Sequence, residues 1–179
     1  MLRTLTFYDS VTERLQRQTW VLPTLARLVF AGVLAVYFLN SGLTKIAPLD
    51  GFPMASAGAY VQIFPRAFEA AGYDPSALGR LHHTVVYAGI LAEFVLPALI
   101  VIGLFTRLSA LGMIGFVIVQ SLTDVVGHQQ HAALGQWFDR FPDAAILDQR
   151  AFWMMLLVVL VIKGAGPISA DRALKAMTR

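Results

Sequence analysis

The sequence predicts an all-α protein: an integral membrane four-helix bundle with both termini in the cytoplasm and amphipathic helices in the first outer loop. Composition, run length and the placement of the polar residues lead there. Of 179 residues, 57% are apolar and only 14% charged, too few charges to cover a soluble domain of this size. Apolar runs extend over Leu22 to Ile46, Leu81 to Leu104, Leu108 to Val126 and Ala151 to Ile162. A spanning helix needs ~20 residues to cross ~30 Å of hydrocarbon. The first three runs reach that length, and the fourth does if its helix extends from Leu147 to Ala165. The predicted spans are therefore 22–46, 81–104, 107–127 and 147–165, within a transmembrane domain 21–171. A cytoplasmic amphipathic segment, 1–20, precedes it, and a cytoplasmic tail, 172–179, comes after it.

Each span has its own justification. The first run is longer than a signal-peptide core and carries Asn40, Ser41 and Lys45 where a cleavage site would need small residues, so it reads as a retained helix. Orientation follows the positive-inside bias. Arg3, Arg14 and Arg17 precede the first span, Arg107 follows the second, and Arg172, Lys175 and Arg179 lie in the tail. The connections 47–80 and 127–150 carry arginines mixed with Asp50, Glu69, Asp74, Asp139, Asp143 and Asp148, so they face outward. Arg27 and Lys163 read as snorkelling anchors, and Trp20 and Trp153 as interfacial belt residues.

In the first outer connection, Tyr60, Ile63, Phe64, Ala67, Phe68 and Ala71 recur at helical spacing, with Pro65 interrupting or restarting the helix. A pair of short amphipathic helices fits, either lying on the surface or covering a pocket as a lid.

The sequence also excludes chemistries. It has no cysteine, so disulfides, thiolate metal sites and thiol redox catalysis are outside this chain. A net charge of +3, scattered, gives no nucleic-acid footprint. No phosphate loop, Ser–His–Asp order or zinc-hydrolase motif is present.

Polar groups in lipid are costly and usually face the bundle interior. In the first span Tyr37, Asn40, Ser41, Thr44 and Lys45 share a face. In the second, His82, Gly89, Glu93 and Pro97 share one, with Glu93 roughly 16 Å below the outer end. In the third, Gln120, Asp124, His128 and His131 align if the helix continues past Gly127. Turned toward one another, these stripes form a polar cavity in the outer half, with Lys45, Glu93 and Asp124 as its charges. Gly42, Gly89 and Gly112 would allow close helix approach. The bland alternative is a Lys45–Glu93 pair that only holds helices together. His128 and His131, at i, i+3, with Asp124 one turn earlier, are the candidate metal ligands.

These residues resemble the DoxX family of small four-helix bacterial membrane proteins. The likeness is carried by Arg27, by Asn40-Ser41-Gly42-Leu43-Thr44-Lys45, and by Glu93. It continues through Gly103-Leu104-Phe105-Thr106-Arg107 and Gly164-Ala165-Gly166-Pro167-Ile168-Ser169-Ala170-Asp171. The polar N-terminal extension and the long segment His131 to Arg150 depart from the compact family pattern. The resemblance implies a multi-pass protein of the bacterial cytoplasmic (inner) membrane. It also implies a subunit of a quinone-linked oxidoreductase or detoxification complex, or an accessory protein for copper handling.

Three functions are therefore expected. In the first, a quinone takes hydrogen bonds from Tyr37, Asn40, Lys45 or His82, with Thr44 and Gln120 beside it, and Glu93 and Asp124 carry protons. The second is copper handling at Asp124, His128 and His131, with His82 or His83 as a further ligand, and the third a non-catalytic scaffold or assembly factor. Expected partners are the lipid bilayer, a redox or metal-handling protein and a second copy in a homo-oligomer; nucleic acid is not one of them.

Overall fold

A computed structural model describes residues 8–178 except 10, 11, 15, 50 and 51. Half of the predicted amphipathic segment 1–20, namely 1–7, 10, 11 and 15, lies outside the described residues. Four helices are long and apolar enough to cross a membrane: α1 (Val21–Thr44), α4 (Arg80–Ile102), α5 (Thr106–Gly127) and α6 (Ala145–Lys163). Between α1 and α4 lie strands β1 (Ile46–Leu49) and β2 (Phe52–Ala55) and short helices α2 (Ala57–Ile63) and α3 (Pro65–Ala70). Helix α7 (Ala170–Met177) closes the described chain.

Each spanning helix buries one narrow stripe. In α1 the buried residues include Pro23, Ala26, Phe30, Leu34 and Phe38, spaced by three or four. In α4 they are Val86, Ile90, Glu93, Pro97 and Ile100. In α5 they include Ser109, Met113 and Val117; in α6, Ile146, Arg150, Leu157 and Leu160. The stripes meet in a ring: α5 packs on α4 and α6, while α1 packs on α6 with its first half and on α4 with its second. Phe30, Phe38, Ile100, Met113 and Leu157 form the centre. Leu25, Leu28, Val33, Leu91, Leu111 and Ile162 stay exposed, as lipid-facing residues would.

The first span ends at Thr44, two residues short of the prediction, because β1 pairs antiparallel with β2 from Ile46↔Ala55 to Leu49↔Phe52. The two predicted loop helices are present. Ser56 caps α2 by accepting from Ala59 N at 3.2 Å, and Pro65 restarts the chain as the first residue of α3, where its missing N–H costs nothing. Their apolar side chains, Tyr60 and Phe68, bury against Val86 and Ile90 of α4.

At the opposite end of the bundle, Gly103 (φ 75°) stops α4, and its N–H bonds back to Leu99 and Ile100. Asp171 then accepts from the amides of Phe105 (2.7 Å) and Thr106 (3.1 Å), capping α5 from the far end of the sequence. Arg27 is no snorkelling anchor. It donates to the carbonyls of Ala165 (2.7 Å) and Ile168, holding the segment after α6 against α1. Trp153 is not a belt residue either: it packs on Tyr37 and Phe38 inside the bundle.

Candidate functional site

The cavity lies between α1, α4 and α5, at the bundle end that carries the β-hairpin, and has a volume of about 690 Å³. Small residues line it: Ala88, Gly89 and Ala92 on α4, and Gly112 and Gly115 on α5. Gly115 has nothing within 4 Å of the position a Cβ would take. Gly42, by contrast, is a true close approach, since a Cβ there would lie 2.8 Å from the Phe94 ring. Gln62 and Ile63 of α2 line the cavity too, so this loop helix covers part of it.

Two ion pairs face this space. Lys45 Nζ lies 2.9 Å from Glu93 Oε1 and also donates to Ser41 Oγ (2.8 Å) and Ser41 O (3.3 Å). Ser41 Oγ donates to Glu93 Oε1 at 2.9 Å. The lysine's three protons are therefore spoken for, while Glu93 Oε2 is buried with no partner. Pro97, one turn later, has no N–H to give the Glu93 backbone carbonyl.

On the other side, Arg150 Nη2 donates to Asp124 Oδ2 at 2.5 Å and Nη1 to Ser121 Oγ at 2.9 Å, leaving Nε buried and unpartnered. Between the pairs, Gln120 Nε2 donates to the Tyr37 hydroxyl at 3.0 Å. The Tyr37 O–H remains free to donate, and Gln120 Oε1 is buried and unpartnered. Residues lining the cavity thus carry two free donors, Tyr37 O–H and Arg150 Nε, and two free acceptors, Glu93 Oε2 and Gln120 Oε1. Unmet polar groups in a buried site are costly unless a ligand or water meets them.

The structure brings Tyr37, Lys45, Glu93, Gln120, Asp124 and His128 to this cavity. Others of the expected set are not there. Asn40 is exposed on the outer surface of α1. Thr44 donates to Ser41 O, with the Gln62 amide at 3.4 Å. His82 lies under the loop helices, edge-on to Phe64, and His83 bonds the Tyr60 hydroxyl at 2.6 Å. Burial, and then Tyr87, raise the Tyr60 hydroxyl above its ordinary pKa.

The predicted stripe Gln120–Asp124–His128–His131 breaks. The last turn of α5, Thr123–Gly127, is π-wound, and Gln129 adopts a left-handed φ of 57°. His128 therefore turns to the Gln62 carbonyl (3.0 Å), and His131 begins an exposed 3₁₀ turn. Asp124, His128 and His131 form no three-ligand set. Among the described residues, no group of three or more His, Cys, Asp or Glu side chains is placed to hold a metal.

Sequence reasoning missed Arg150, counting it among the arginines of the connection 127–150. Its signal was periodicity: it stands four residues after Ile146 and three before Trp153, on the inward face of the last apolar run. Gln62 was missed because nothing local marks a lid residue.

Fold and site together define a four-span membrane bundle with a charged cavity partly covered by the short helix α2. A family model described as DoxX matches residues 22–125, more than half of the chain. The chain belongs to the DoxX family. The matched residues include all but the first residue of α1, both loop helices, α4 and most of α5, hence every cavity group named above except His128 and Arg150. No curated protein and no solved structure matches the chain.

Proposed function

We propose that this protein is the membrane subunit of a quinone-linked redox or detoxification system of the bacterial cytoplasmic membrane, and that its cavity receives the quinone head group. The observation that carries the reading is the unpartnered Glu93 Oε2, buried in a cavity that also presents a free phenolic O–H from Tyr37. A quinone/quinol couple needs both kinds of group: a donor for a carbonyl oxygen and an acceptor for a hydroxyl proton. Tyr37 O–H and Arg150 Nε serve as donors. Glu93 Oε2 and Gln120 Oε1 serve as acceptors, and Glu93 is the group that takes or returns the proton. Ser41 and Lys45 hold Glu93 in place through its other oxygen. The quinone supplies two-electron chemistry when bound. With no cysteine in the chain, the electrons come from a partner protein or a soluble substrate.

The proposed orientation keeps both termini in the cytoplasm, because Arg107, Lys163, Arg172 and Lys175 gather at the terminal end of the bundle. The cavity then opens toward the outer half of the membrane.

The test is quinone retention after mild extraction, read by chromatography of the extracted pigment. The wild-type protein retains quinone, and Tyr37→Phe, which keeps the ring, weakens retention several-fold. Equal retention by wild type, Tyr37→Phe and Glu93→Gln would overturn the assignment.

One observation favours a scaffold or assembly role instead: Lys45 is fully satisfied by Ser41 and Glu93, as a purely structural clamp would be. Under that reading, a Lys45→Met/Glu93→Leu protein that still folds keeps full function in cells. The copper reading has no assembled ligand set to support it among the described residues.

A further inference from the structure

A second cavity, of about 820 Å³, lies at the terminal end of the bundle, away from the quinone-sized cavity between α1, α4 and α5. It is bounded by the start of α5, the end of α6 and helix α7. Arg107, Lys163, Arg172 and Lys175 line it. None of these four is in a salt bridge among the described residues. Asp171, the one carboxylate among the described residues lining it, is already engaged by the amides of Phe105 and Thr106.

The cations are placed by the backbone. Gly164 (φ 79°) ends α6 directly after Lys163, and Arg107 lies along this turn, with its Nε 3.5 Å from where a Gly164 Cβ would stand. Ser169 caps α7, which sets Arg172 and Lys175 three residues apart on one face. At the base of the cavity, Thr106 is 1% exposed and its hydroxyl has no partner. Four cations outside any salt bridge, around an orphaned hydroxyl, suit an anion with several acceptor oxygens.

The rim says where that anion comes from. Leu108 is 69% exposed and Phe105 59% exposed, and both line the cavity beside Trp20. Apolar side chains at the edge of a basic pocket, level with an interfacial tryptophan, suit acyl chains running down the bundle from a bound head group. We infer that this cavity is a binding site for the phosphate of an anionic phospholipid, with Arg107, Lys163, Arg172 and Lys175 holding the phosphodiester and the Thr106 hydroxyl donating to it. The site is independent of the quinone reading.

The test is native mass spectrometry of the full chain in detergent, with equal phosphatidylglycerol and phosphatidylcholine added. The wild-type protein retains one phosphatidylglycerol through delipidation in preference to phosphatidylcholine. A Lys163→Gln/Arg172→Gln/Lys175→Gln protein loses that preference by roughly a hundredfold, since each basic residue near an anionic lipid surface contributes about a fivefold factor. These three side chains are exposed, so the variant folds, as an unchanged melting temperature without added lipid verifies. Equal retention of both lipids by the wild-type protein, or an unchanged preference in the triple variant, overturns the inference. Displacement of phosphatidylglycerol by millimolar inorganic phosphate would assign the site to a soluble phosphate and overturn the lipid assignment.

Discussion

Lys45 Nζ sits 2.9 Å from Glu93 Oε1, with the two side chains only 6% and 3% exposed. Removing one member of a buried pair strands the other, which costs about 3–5 kcal/mol, whereas replacing both with apolar groups can be nearly neutral. Glu93→Gln should therefore lower thermal stability in detergent sharply, and Lys45→Met/Glu93→Leu should recover most of the loss. A temperature series read by fluorescence-detected size exclusion measures both.

The Arg150–Asp124 pair ties the second turn of α6 to the last turn of α5. A double-mutant cycle with Arg150→Met and Asp124→Asn should return a coupling of about 1–3 kcal/mol. A coupling near zero would mean that the two side chains are held by their other neighbours.

Gly103 should tolerate no side chain. Its φ is 75°, and a Cβ would lie 2.6 Å from Arg27 Nη1 and 2.7 Å from Ser169 Cβ. Gly103→Ala is expected to cost about 1–3 kcal/mol. Asp171→Ala, which uncaps α5, should cost about 1–2 kcal/mol. Both are readable as melting shifts, and neither should alter ligand binding in the first cavity.

Tyr60 predicts a pH dependence. Burial, and secondarily Tyr87, raise its pKa in the folded state above the ordinary 10.0. A raised folded value means that the folded protein keeps a proton the unfolded chain gives up. The stabilisation is complete below about pH 10 and is lost as pH rises through the folded value. Tyr60→Phe should flatten this alkaline fall in melting temperature.

Much of this architecture was legible in the sequence because hydropathy and length are strong signals in lipid. The four spans, the Pro65 restart, and the convergence of Tyr37, Lys45, Glu93, Gln120 and Asp124 all come from run length and spacing. Register was the part that failed. A stripe at i, i+3, i+4 is broad: Asn40 stands about 100° around the helix from Ser41, enough to face outward. The π-turns at Thr123–Gly127 and Ala145–Gln149 rotate the helix ends they occupy, and the first of them carries His131 away from the site. No periodic pattern announces such a turn. The β-hairpin was hidden because its strands are four residues each, too short for alternation to show.

Photoaffinity labelling of the protein in proteoliposomes with an azido-quinone tests the central claim most directly. The cavity account predicts label on peptides within residues 37–45, 85–96 and 112–128, where the lining residues of α1, α4 and α5 lie, and protection by excess unmodified quinone. Label confined to lipid-facing residues such as Leu25, Leu28 and Ile162, or unaffected by competing quinone, would contradict it.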